Sequence, residues 1–292
     1  KSFSLDPTDA RVLFELDQLR KKQGEAPATR LAQLDRSPDL VDRRDDLTIE
    51  RLALLNRLGR PRDALAILER RTFHPWEGGE GKVAGQYVFA LVQLARAHLR
   101  DGDPRRAIPL LERAKSYPPN LGEGKLAGAQ ENHLNWFLGL AHDALGDLPA
   151  ARRAWTLAAQ GISEPASAMF YNDQPPDTIF SQGLALDRLG KRKEARTRFA
   201  KLIAYGLAHR HDNPVIDYFA ISLPDETCAF VGAPLGVVVD LCVRSLPAEI
   251  VGELSDAALE RTEVWNLHVP ILAHPSENFP NPESLRVLAC ME

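Results

Sequence analysis

The sequence predicts an all-α fold, a right-handed superhelical solenoid of helical hairpins joined by long loops, and three observations predict it. A glycine followed five residues later by an alanine recurs at Gly59/Ala64, Gly102/Ala107, Gly146/Ala151 and Gly190/Ala195. The glycines lie 43, 44 and 44 residues apart, a period that marks a repeat architecture. Each glycine also closes one amphipathic run and each alanine opens another, so every copy reads helix, turn, helix.

The copies are justified in chain order. The first is carried by Leu52, Leu55, Gly59, Ala64 and Leu68. In the second, Leu94, Ala97 and His98 precede Gly102, and Ala107, Leu110, Leu111 and Ala114 follow it. The third has Leu138, Gly139, His142, Gly146, Ala151, Trp155 and Ala158; the fourth has Gly183, Gly190, Ala195 and Phe199. Apolar residues three and four apart turn one face of each helix to a core. The glycine supplies the left-handed stop of the first helix, and the alanine admits close approach of the second. Hairpins of this kind bury a continuous core only by stacking on one another. Residues 1–224 are therefore assigned to the repeat domain, with clear copies over about 45–205.

These positions resemble the tetratricopeptide repeat. Leu94-Ala95, His98, Gly102, Ala107, Leu111, Ala114 and Pro119 stand at that motif's spacings, and Leu138-Gly139, His142, Gly146, Ala151, Trp155 and Ala158 repeat them. The usual repeat is about 34 residues long, and the excess here falls between hairpins.

The inter-hairpin loops are themselves alike. Phe73–Lys82 contains His74, Trp76, Glu77 and Glu80; Tyr117–Lys125 contains Asn120 and Glu123. Both end in Gly-Glu-Gly-Lys, 43 residues apart, and both are expected to run directly into the next helix. A third loop, Phe170–Asp177, shares aromatic and proline character and carries Tyr171, Asn172, Asp173 and Gln174. Gly79-x-Gly81-x-x-Ala84 and Gly122-x-Gly124-x-x-Ala127 fit a loose dinucleotide fingerprint, which requires a preceding strand where a helix is expected here. The P-loop pattern fails too, with Trp76 and Pro119 where glycine is needed. What remains is a choice between a structural corner and a ligand groove. A ring beside carboxylates and amides suits a sugar, the ring stacking on a pyranose face and the planar groups taking its hydroxyls. The groove reading names His74, Trp76, Glu77, Glu80, Lys82, Asn120, Glu123, Lys125, Tyr171, Asn172, Asp173, Gln174 and Asp177 as ligand-binding residues.

The runs His74–Lys82, Tyr117–Lys125, Tyr171–Asp177 and Ile216–Asp225 also resemble one bacterial family. Its members are large proteins in which an uncharacterised N-terminal β-sandwich precedes tetratricopeptide repeats, often in carbohydrate metabolism. The resemblance spans roughly residues 45–225 and implies a similar setting.

Other candidates are weaker. Glu77, Glu80 and Glu123 offer a glycosidase carboxylate pair, which needs a separation of about 5–5.5 Å for retention or about 6.5–9.5 Å for inversion. The cluster His209-Arg210-His211-Asp212 lacks a second ligand group at supporting spacing, Cys228 lacks a partner histidine, and His98 and His142 read as packing residues. No metal or cofactor is expected. A net charge of -4 supplies no general basic surface for nucleic acid, and no apolar run approaches the roughly 18 residues of a membrane span. Three cysteines make no disulfide framework and point to a reducing, cytoplasmic setting. The chain begins at Lys1 and reads as a fragment.

Charge divides the chain. Residues 225–292 carry 11 acids against three bases, while residues 1–224 carry 29 acids against 33 bases. The acidic tail has a Val-rich stretch, a helical pattern from Pro247 to about Val264 and a proline-rich end, and is expected to be the least ordered region. It reads either as a capping segment or as sequence foreign to the array, from a shifted frame or a fusion. The leading functional expectation is a non-catalytic scaffold whose loops bind a saccharide or a partner domain. A carbohydrate-active enzyme using loop carboxylates and a peptide-binding adaptor are the alternatives.

Overall fold

The computed structural model describes residues 6, 8–166 and 173–209; the tail, with its cysteines and proline-rich end, lies outside the described residues. Among the described residues every regular element is helical, as the sequence predicts. They belong to two compact units, residues 1–94 with 116–125 and residues 95–115 with 126–292.

The first unit opens with α1 (Ala10–Lys22), α2 (Pro27–Leu34) and the single-turn α3 (Pro38–Val41). A buried ion network ties α1 and α2 to the next helix. The Arg30 guanidinium donates to both Asp17 oxygens and to Glu50 Oε2 at 2.8 Å, with all three side chains withdrawn from solvent. Removing one partner would strand a buried charge, so the network is sensitive to single substitutions. The hairpin α4 (Asp45–Arg57) and α5 (Pro61–Arg70) follows, and α6 (Lys82–Arg100) gives residues 82–94 to this unit. Leu47, Leu52, Leu55, Leu68 and Leu91 form its core.

The second unit takes the end of α6, then α7 (Pro104–Ala114), the hairpin α8 (Asn132–Ala144) and α9 (Leu148–Ala158), and the hairpin α10 (Thr178–Arg188) and α11 (Arg192–His209).

The punctuation works as the period implies. Gly59, Gly102, Gly146 and Gly190 have φ of 72, 73, 76 and 80°. After each, the next residue's N–H returns to a carbonyl inside the finished helix, as in Asp103 to His98 and Asp147 to His142, satisfying groups the helix end would leave open. A Cβ at these four glycines would meet nothing within 4 Å, so the requirement is conformational. Ala64, Ala107, Ala151 and Ala195 are fully buried. Pro104 and Pro149 start their helices behind Asp103 and Asp147, whose carboxylates accept from Arg106 N and Ala150 N.

Helix approach inside the second unit is set by a matched pair of residues seven before and nine after each glycine. Ala95 stands with Leu111, Gly139 with Trp155 and Gly183 with Phe199. A Cβ on Gly139 would run into the Trp155 indole, and one on Gly183 into the Phe199 ring. Trp155 also meets Trp136 at 6.3 Å between centroids, and Phe199 meets Phe180 at 5.9 Å. Bulk on the second helix is balanced by its absence on the first.

Candidate functional site

In the first unit the two similar loops meet and close one corner. After α5, Phe73 N–H donates to Asn120 O at 2.8 Å. The Asn120 amide then donates to Leu68 O and Arg71 O at 2.7 and 2.8 Å, capping the C-terminal carbonyls of α5. Asn120 lies on a 3-10 turn, Pro119–Leu121, that ends at Gly122 with φ 79°. A side chain at Gly122 would collide with the Phe73 carbonyl, so this glycine is required both by its backbone angle and by close approach.

Glu123 completes the corner. Its Oε2 accepts from Gly81 N–H at 2.8 Å and its Oε1 from Ala84 N–H at 3.0 Å. A carboxylate placed on two free amides at the start of α6 satisfies both orphan donors and opposes the positive end of the helix dipole. The glycine-rich N-terminus that resembles an anion cradle is therefore filled from within the chain.

The first loop is anchored at its other end by Asp45, at the start of α4. Asp45 Oδ2 accepts from His74 N–H at 2.9 Å and lies 3.1 Å from His74 Nδ1, while Arg71 donates to Oδ1 at 2.7 Å. Burial pushes the Asp45 pKa up, but the His74 amide and the Arg71 guanidinium outweigh it and hold the carboxyl below its ordinary value. The turn Trp76–Gly79 is closed by Gly79 N–H to Trp76 O at 3.0 Å, and the indole lies across Gly79, where a Cβ would overlap the ring. Glu77 is exposed; Glu80 is half-buried, with Oε2 out of solvent and without a hydrogen bond. Lys82 is half-buried and Lys125 exposed.

The second copy of Gly-Glu-Gly-Lys behaves differently from the expectation. Lys82 begins α6, whereas residues 126–131 intervene between Lys125 and α8. Two sequence differences accompany it. One residue more separates Lys125 from Gly146 than separates Lys82 from Gly102, which rotates the register by about 100°. Residues 166 and 167, one period after Glu123, are Ala and Ser.

In the second unit Gln174 pairs with both backbone groups of Ile162, accepting from its N–H and donating to its carbonyl at 2.8 Å each, and Gln182 donates to the same carbonyl at 3.1 Å. Asp173 is half-buried. Asp177 stands at the start of α10 without capping it; its Oδ1 is buried and unbonded, and burial pushes its pKa up. Tyr171 and Asn172 lie outside the described residues, as does the cluster following His209.

Three polar residues escaped the sequence reading. Asn132 donates to Ala158 O and Gln160 O, closing α9 as Asn120 closes α5. Asp45 anchors a loop 29 residues away. Arg96 on α6 is 8% exposed, its guanidinium 5.6 Å from the Phe137 ring, and burial pushes its pKa down to about 10. A signal existed for Arg96: Ala53, Leu140 and Leu184 occupy its place in the other copies.

Among the described residues no group of histidine, cysteine or acidic side chains is arranged to hold a metal ion, and no helix is long and apolar enough to cross a membrane. Residues 88–113 and 133–156 match the tetratricopeptide repeat family model. The matched stretches lie within α6/α7 and α8/α9 and omit the loops, so these two helix pairs carry tetratricopeptide-type repeats. A solved structure, the MamA RS-1 ArsTM double mutant, is similar at 16% identity over 70% of this chain and 97% of that one, with a TM-score of 0.37.

Proposed function

We propose that this chain is a non-catalytic repeat scaffold that binds a partner protein through its helical hairpins, with the inter-hairpin loops serving as structural corners. The observation that supports this reading is the occupation of Glu123: both of its oxygens are bonded to the amides of Gly81 and Ala84. Asn120 and Gln174 are likewise committed to backbone groups. A saccharide or a catalytic water would have to displace these bonds before it could use the same groups.

The saccharide reading, and with it a setting in carbohydrate metabolism, retains one supporting feature. His74, with its side chain 80% exposed, and exposed Glu77 flank Trp76 on the first loop. The two readings separate in one experiment. Partner capture from the native source should be unchanged by Trp76→Ala and Glu77→Gln, and calorimetric titration with mono- and oligosaccharides should give no heat. Sugar-dependent heat that disappears in Trp76→Ala would sink the scaffold-only reading and restore the loop groove.

A further inference from the structure

Charge in the second unit is sorted between the two helices of its hairpins. The second helices α7, α9 and α11 carry three, two and five bases against only two acids, Glu112 and Glu194. The first helices wholly within the unit, α8 and α10, carry one base, Arg188, against Asp143 and Asp187. In the first unit the second helix α5 is balanced, with Arg62 and Arg70 against Asp63 and Glu69. The surplus is therefore local, and the net charge of -4 conceals it.

The three basic helices bury equivalent positions: Ala107, Leu111 and Ala114 on α7, Ala151, Trp155 and Ala158 on α9, and Ala195, Phe199 and Leu202 on α11. Their opposite sides thus form one outer surface. An adjacent pair of exposed cations stands on each, Arg105-Arg106, Arg152-Arg153 and Arg192-Lys193. Among the described residues, Arg105, Arg152, Arg153 and Lys193 meet no carboxylate. Arg106 lies 3.2 Å from Asp103 and Arg192 4.0 Å from Asp187, but their side chains are 74 and 72% exposed and solvent screens both pairs. Two of the three cation pairs also sit in a helix first turn, where they oppose the dipole. Folding alone gives no reason for this placement. Apolar side chains stand among the cations. Leu148, one turn before Arg152, is 56% exposed; Leu157, one turn after Arg153, is 48% exposed; and Ile162, four residues past α9, is 62% exposed.

We infer that the outer surface of α7, α9 and α11 binds the anionic face of a lipid bilayer. Phosphate headgroups attract cations held within a Debye length of them, and exposed leucine and isoleucine side chains enter the boundary between headgroups and acyl chains. A nucleic acid offers the same phosphates but nothing for Leu148, Leu157 and Ile162. The rings of these helices give it no platform for stacked bases either, since Trp155 and Phe199 are buried and Tyr205 is half-buried.

Co-sedimentation of the full chain with vesicles tests the contact. Mixed phosphatidylglycerol–phosphatidylcholine vesicles should bind it, pure phosphatidylcholine vesicles should not, and roughly 0.5 M salt should release it by shortening the Debye length. R152Q/R153Q should weaken binding about twentyfold, roughly fivefold for each cation lost. R62Q/R70Q, the same loss of charge on α5, should leave binding unchanged. Leu157→Gln should weaken it about threefold without altering its salt dependence. Circular dichroism verifies that each variant stays helical. No binding by the full chain, equal binding to neutral vesicles, or equal weakening by R62Q/R70Q would each overturn the membrane contact. Tighter binding to single-stranded DNA than to vesicles, unchanged by Leu157→Gln, would overturn it too and give the surface to nucleic acid.

Discussion

The indole of Trp155 lies against the bare Cα of Gly139, and that contact sets how closely α8 and α9 approach. The same relation joins Phe199 to Gly183, while Leu111 is matched by Ala95. In these two hairpins a ring on the second helix requires a bare Cα on the first.

Gly139→Ala should therefore destabilise the protein by about 1–3 kcal/mol through overpacking, even though alanine is the better helix former by about 1 kcal/mol. In a Trp155→Leu background, which recreates the Ala95/Leu111 pairing, the same substitution should become neutral or stabilising. Thermal unfolding of the four proteins in the cycle measures it, and an equal loss in both backgrounds would show that the indole is not the cause.

Glu123→Ala should uncover the first turn of α6. Loss of a charged acceptor from two amides is expected to cost about 1–3 kcal/mol. Hydrogen exchange at Gly81 and Ala84 should accelerate well beyond the change elsewhere in α6. Glu123→Gln, which keeps an acceptor without the charge, should fall between the two.

Acid should weaken the second unit through His133. Burial pushes its pKa down to about 4, so the folded protein keeps the ring neutral while the unfolded chain, near pH 6.5, takes up a proton. Unfolded chains then bind more protons than folded ones between about pH 6.5 and 4. Stability contributed by this residue is present above that window and is lost as pH falls through it, at up to about 1.4 kcal/mol per pH unit. Denaturant titrations across the window should show the slope, and His133→Gln should flatten it.

Asp177 has the opposite sign. Burial raises its folded pKa, so the unfolded chain gives up its proton first and the residue costs stability at neutral pH. Asp177→Asn should raise the melting temperature at pH 7, with the difference disappearing once pH falls below both values. A lower melting temperature at pH 7 would mean the carboxylate has a favourable partner there.

The hairpins were legible because their signals are local. Gly146 must take a positive φ and Ala151 must be small whatever surrounds the repeat, and both appear at fixed spacing. The loops were less legible because composition names donors and acceptors without pairing them. Asn120, Glu123 and Gln174 suit a sugar site and suit helix ends equally well, since both present oriented polar groups. Their partners are up to 52 residues away in sequence, as for Asn120 and Leu68. The identical Gly-Glu-Gly-Lys runs start a helix in one place and not in the other, and the carboxylate that holds the amides of the first is contributed by the following loop.

That dependence has a consequence for synthesis. Gly81 leaves the ribosome 42 residues ahead of the Glu123 that completes its turn. At about 5–20 residues per second, the start of α6 spends a few seconds without its acceptor. During translation each corner of this kind is closed late, by the segment that follows it, so a pause or premature stop shortly before Glu123 would release a nascent chain with a frayed leading edge.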